Sequence, residues 1–95
     1  MPAYVLVEVE IVDKDRYEIY KRLAANAIGV YGGRYLVRGG KVEALEGGWP
    51  DKRLVVLEFP SVEQAKAWWN SPEYTEAKAV RQSCAKTRLI IAEGL

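Results

Sequence analysis

Ala3-Tyr4-Val5-Leu6-Val7-Glu8-Val9-Glu10-Ile11-Val12 sets Val5, Val7, Val9 and Ile11 against Tyr4, Leu6, Glu8 and Glu10. A period of two is the mark of a β-strand, because successive side chains point to opposite faces of the sheet. This strand is apolar on one face and still carries Tyr4 and Leu6 on the other, so both faces of its sheet ask for cover. Downstream, Asp13 offers an N-cap, and Tyr17, Tyr20, Leu23, Ala24, Ala27 and Ile28 recur at helical spacing, which predicts a helix to about Ala27 or Ile28. Tyr31-Gly32-Gly33 ends it. Arg34 to Arg38 reads as a second strand, turning at Gly39-Gly40, with a short hairpin arm expected from Lys41 to Leu45.

Gly47-Gly48-Trp49-Pro50-Asp51 reads as a loop, and Arg53 to Phe59, rich in Val and Leu, as a third strand closed by Pro60. Ser61 followed by Gln64 is a capping box that opens a helix carrying Val62, Ala65, Trp68 and Trp69. Ser71 with Pro72 restarts a helix through Tyr74, Ala77, Val80 and about Cys84, and Lys86 to Glu93 supplies the last strand. The order strand, helix, strand, strand, helix, strand predicts an α+β fold, the ferredoxin-like βαββαβ sandwich with an antiparallel sheet, as a single domain over residues 1–95. Its first and third strands lie at the centre of the sheet. Tyr4, Leu6, Leu54 and Val56 are then apolar on the side opposite Val5, Val7, Val55 and Leu57. Two helices cover only one side, so the other predicts a homodimer with two sheets face to face, a dimeric α/β barrel.

Composition narrows the function classes. The chain is 95 residues long and 49% hydrophobic, enough for one core, although a chain of this size buries only roughly 60 to 65% of its unfolded surface and gains from a partner. Fourteen basic residues against thirteen acidic ones, a net charge of +1, offer none of the basic excess that nucleic acid demands, so no nucleic-acid partner is expected. With no histidine, a Ser-His-Asp triad is impossible and the commonest metal ligand is missing, and no metal or cofactor is expected. The lone Cys84 forms no internal disulfide and reads as a buried thiol, which predicts a cytoplasmic setting. Neither a leader segment nor an apolar run of membrane length is read in the chain, so no membrane partner is expected.

Tyr31-Gly32-Gly33-Arg34-Tyr35-Leu36-Val37-Arg38-Gly39-Gly40, then Glu43, Leu45-Glu46-Gly47 and Trp49, then Arg53 through Ser61, resemble the DUF1330 family of bacterial domains of unknown function. Ala65, Trp68, Ser71-Pro72-Glu73-Tyr74, Lys78 and Arg81 extend the resemblance over essentially the whole chain. It implies the dimeric α/β-barrel superfamily, which agrees with the two-faced strands. That superfamily holds cofactor-free monooxygenases, haem-degrading enzymes, lactone isomerases and stress proteins, so it assigns no single activity.

Glu8, Arg38 and Glu58 interrupt otherwise apolar strands on the expected barrel side, and ionised groups there need partners. Two carboxylates around one guanidinium suit either a small polar or anionic ligand bound between the sheets, or a structural ion-pair cluster. A carboxylate held at a raised pKa is the alternative, giving a cofactor-independent enzyme of monooxygenase or isomerase type. Trp49, in its Gly- and Pro-bounded loop, reads as a cap on the pocket mouth or an anchor of the dimer. Glu10 reads as solvated, and Trp68 and Trp69 as core. The RGG at Arg38-Gly39-Gly40 reads as strand end plus turn.

Overall fold

Four antiparallel strands form one sheet in the order β2-β3-β1-β4: β1 (Ala3–Ile11), β2 (Arg34–Arg38), β3 (Arg53–Phe59) and β4 (Ala85–Glu93). A computed structural model describes residues 1–48 and 52–95 of the chain. Its helices are α1 (Lys14–Val30), α2 (Val62–Trp69) and α3 (Pro72–Cys84). This is the ferredoxin-like βαββαβ sandwich, with the second helical segment broken in two at Asn70-Ser71. β1 and β3 are the central strands, as the topology requires.

Each helix starts where its cap dictates. Asp13, Ser61 and Ser71 accept hydrogen bonds from the N–H groups of Arg16, Gln64 and Tyr74, satisfying donors that the first helical turn leaves free. α1 runs to Val30, a little past its expected end, because the closing turn forms only at Gly32, whose φ of 77° favours glycine, and the N–H of Gly33 returns to the carbonyl of Ile28.

The core lies between the helices and one face of the sheet. Val5, Val7 and Val9 of β1 and Val55, Leu57 and Phe59 of β3 are buried there with Tyr17, Ala24, Ala27, Ile28, Ala65, Trp68, Tyr74 and Ala77. Trp68 packs on Phe59 and Tyr74, with ring centroids 5.3 and 4.3 Å away, so it is core as expected. Trp69 is half-buried, with the Lys78 ammonium 4.2 Å from its ring centre. Cys84 is fully buried, and burial pushes its thiol pKa up, as suits an inert core group.

The hairpin arm expected at Lys41–Leu45 does not form. Residues 41–48 lie exposed outside regular structure, Leu45 at 97% exposure, because that stretch has no neighbouring strand to pair with.

Candidate functional site

The open face of the sheet carries Tyr4, Leu6, Glu8 and Glu10 of β1, Leu54, Val56 and Glu58 of β3, Arg34 of β2, and Arg88 and Ile90 of β4. Glu8 sits opposite Arg88 across the β1–β4 ladder and accepts a 2.7 Å hydrogen bond from its guanidinium, with Lys52 at 3.3 Å. The Arg88 bond, followed by Lys52, holds the Glu8 carboxyl below its usual range. Glu58 pairs with Arg34, its partner across the β2–β3 ladder, at 2.7 Å. Glu10 is exposed, in keeping with a solvated strand end. Leu6, Glu8, Leu54, Arg88 and Ile90 frame a shallow groove of about 300 Å³.

The expected convergence of Glu8, Arg38 and Glu58 does not occur. Glu8 faces Leu54 while Glu58 faces Tyr4, four residues away along β1, or roughly 13 Å at about 3.3 Å per residue. Arg38 lies on the opposite side of the sheet. A β-bulge in β2 explains it: Tyr35 pairs with Leu57 but Val37 pairs with Val56, leaving Leu36 as the extra residue, so Arg38 pairs with Val55 on the helix-covered face. There it stacks over the Tyr35 ring, 4.3 Å from the centroid, and reaches the backbone carbonyl of Lys21 at 3.5 Å. Trp49 lies outside the described residues.

Arg38 instead stands at the mouth of a pocket between α1, α3 and the sheet. Val7, Val9, Tyr17, Tyr20, Lys21, Ile28, Tyr35, Arg38, Arg53, Val55, Leu57, Trp68 and Arg81 line it, and its enclosed space is about 20 Å³, the room of about one water. Arg38 is the exposed member of that lining, whereas Arg81 is 3% and Trp68 1% exposed. The phenols of Tyr20 and Tyr74 share a 2.8 Å hydrogen bond that ties α1 to α3, and Arg81 donates to the Tyr74 hydroxyl at 3.0 Å. Burial and the Tyr74 phenol push the pKa of Tyr20 far above the ordinary tyrosine value, and burial raises those of Tyr17, Tyr35 and Tyr74, so all four are neutral at pH 7.

Three buried N–H donors have no partner among the described residues: the Nε atoms of Arg53 and Arg81 and the indole Nε1 of Trp68. All three belong to residues lining this one pocket. Gly39 (φ 74°) leaves room for Arg53, since a side chain at that position would run into the Arg53 guanidinium.

Sequence reasoning placed Tyr17 and Tyr20 at the helical spacing of the first helix, counted Trp68 as core and gave Arg81 no part in a site. A signal for Arg81 was present. Tyr74, Ala77, Arg81 and Cys84 form one stripe at helical spacing, and Arg81 is the charge on that otherwise buried face.

A family profile described as "Domain of unknown function (DUF1330)" matches residues 2–95. The chain belongs to the DUF1330 family. No curated protein matches the sequence. Among solved structures, this DUF1330 chain is similar to the RPA0582 protein of unknown function from Rhodopseudomonas palustris, with 23% identity, 99% of this chain and 82% of that one covered, and a TM-score of 0.80. It is also similar to a dimeric ferredoxin-like protein of unknown function from Jannaschia sp. CCS1, at 15% identity, with 99% and 100% covered and a TM-score of 0.74. A third is SnoaB, a cofactor-independent oxygenase from Streptomyces nogalater, at 7% identity, with 99% and 93% covered and a TM-score of 0.65. At these identities the likeness concerns the fold. No helix among the described residues is long and apolar enough to cross a membrane.

Proposed function

We propose that this DUF1330 domain is a cytoplasmic homodimer that binds a small molecule in the pocket between its helices and its sheet, one site per protomer. The observation that carries the reading is the gathering of all three unpartnered buried donors around one cavity. Buried polar groups are normally satisfied, and each one left without a partner costs about 1–3 kcal/mol, so three at a single place mark a ligand's contacts better than they mark packing. Concave sites with aromatic walls and a few converging polar groups are where small molecules bind.

The open face supports the dimer. Leu6, Leu54 and Val56 stay only partly covered and Ile90 is 59% exposed, a patch that a second sheet removes from water, and the Jannaschia relative is described as dimeric. The ion pairs Glu8–Arg88 and Glu58–Arg34 are complete within one protomer, which favours a structural role for both carboxylates over a ligand site between the sheets. The reading of Glu8 as a catalytic base loses support for the same reason, since Arg88 lowers the affinity of its carboxylate for a proton.

Two measurements test this. Light scattering should give twice the chain mass at micromolar concentration, and Val56→Lys, which puts a charge in the middle of the open face, should give a monomer with unchanged circular dichroism. A fragment screen followed by amide and indole NMR should yield ligands that shift the Trp68 indole signal. Ligands that move only Leu6, Leu54 and Ile90 would return the site to the space between the sheets.

A further inference from the structure

We propose that the pocket receives the carboxylate of a small planar acid, with Arg81 as its buried anchor; this names the ligand class of the site above and rests on that reading. The pocket is lopsided in charge. Lys21, Arg38, Arg53 and Arg81 line it, and no Asp or Glu among the described residues does, in a chain whose acids and bases nearly balance overall. Among the described residues, Lys21 pairs with Glu18 at 2.9 Å, while Arg38, Arg53 and Arg81 form no ion pair.

Arg81 is the decisive group. A guanidinium carries five N–H donors and always keeps its charge, and burying it without a carboxylate is strongly unfavourable. Its partners are a neutral phenol and the faces of Tyr20 and Trp69, with ring centroids 6.0 and 5.5 Å away, which offset the charge only in part. A water in a space of about 20 Å³ accepts two hydrogen bonds and brings no negative charge.

What the pocket lacks is therefore an acceptor that is also an anion. The unpartnered groups are all donors, the Nε atoms of Arg53 and Arg81 and the Trp68 indole N–H, and none is an acceptor. A carboxylate supplies negative charge and about four lone-pair sites, and it fits the planar fork of arginine. The flat walls of Tyr17, Tyr20 and Tyr35 favour a planar body behind it over a tetrahedral anion. The enclosed room of about 20 Å³ is water-sized, so such an acid enters only with a shift of the lining, and Arg38, exposed and stacked on Tyr35 at the mouth, is the lining side chain freest to shift.

The test uses the full chain and three probes, benzoate, its neutral isostere benzamide, and inorganic phosphate, read by the indole signal of Trp68 and the Nε–H signal of Arg81. Benzoate should shift both signals and bind at least tenfold more tightly than benzamide and phosphate. Arg81→Met should weaken benzoate at least tenfold with the fold intact, and Arg81→Lys should recover part of the loss. If Arg81→Met fails to fold, Arg38→Gln at the mouth should still weaken benzoate several-fold. Arg88→Gln, on the open face, should leave benzoate binding unchanged. Benzamide binding as tightly as benzoate, with the Trp68 signal moving, overturns the anion and leaves the pocket standing. Phosphate binding more tightly than benzoate overturns the planar acid, and silence of both signals with all three probes overturns the site itself.

Discussion

On the open face of the sheet Arg34 and Arg88 each donate to a carboxylate at 2.7 Å, while on the covered face Arg53 and Arg81 meet phenols, ring faces and backbone carbonyls. The two sets differ in what surrounds them. Within a single protomer the open-face pairs are wet, with the Arg34 and Arg88 side chains 69% and 77% exposed, so their charges cost little to hold and the pairing adds little. Arg81 is cut off from water, where a charge without a counter-ion is a strain on the fold. The chain thus pairs the exposed arginines of its open face and, among the described residues, leaves its buried Arg81 without a carboxylate.

The contrast breaks most readily at the core. Trp68→Ala removes the ring that packs Phe59 against Tyr74 beneath the pocket, and it should cost about 3–5 kcal/mol in a urea denaturation series. A loss under about 1 kcal/mol would show that the covered face does not rest on this ring.

The next effect is a pH dependence. The phenols of Tyr17, Tyr20, Tyr35 and Tyr74 have folded pKa values raised by burial above an unfolded value near 10. Below about pH 10 they are protonated in both states and their contribution is complete. Above it the unfolded chain ionises first, so stability falls as pH climbs through the folded values. Melting temperatures should drop by several degrees between about pH 9 and about pH 11, and Tyr20→Phe should flatten that drop. An equal slope in the variant would place the alkaline sensitivity elsewhere.

Arg81→Met sharpens the comparison directly. It keeps most of the volume, removes the buried charge and leaves the Tyr20–Tyr74 hydrogen bond, so stability should hold or rise by about 1 kcal/mol. A fall of more than about 2 kcal/mol would mean that Arg81 also serves the fold, and the ligand test then passes to Arg38→Gln. Smallest of all is Arg34→Ala, which removes an exposed pair and should change the melt by less than about 1 kcal/mol, and less still in high salt.

Much of this was legible in the residues. The alternation in β1 and β3 and the caps at Asp13, Ser61 and Ser71 carry local physics, and each led to the right element. The site was not legible, because it depends on register. The pairing of Glu8 with Arg88 is fixed by how β1 and β4 align over eighty residues of separation, and no local pattern states that alignment. Leu36-Val37 is equally content on either face, so the bulge leaves no local signal and Arg38 was placed on the wrong side. Arg81 interrupts a buried stripe, a mark that becomes meaningful only once α3 is seen to cover a cavity.

The bulge also bears on how such domains diversify. Because it is one residue long, losing Leu36 would restore the regular ladder and leave Arg38 opposite Val55, whereas letting Leu36 pair with Val56 would carry Arg38 to Leu54 on the open face without changing any residue of β2. Relatives with the same residues in this strand, one bulged and one regular, would then present a cation to different sides of the sheet. An alignment scored by residue identity alone would treat such chains as equivalent, although one holds its cation beneath the helices and the other on the open face.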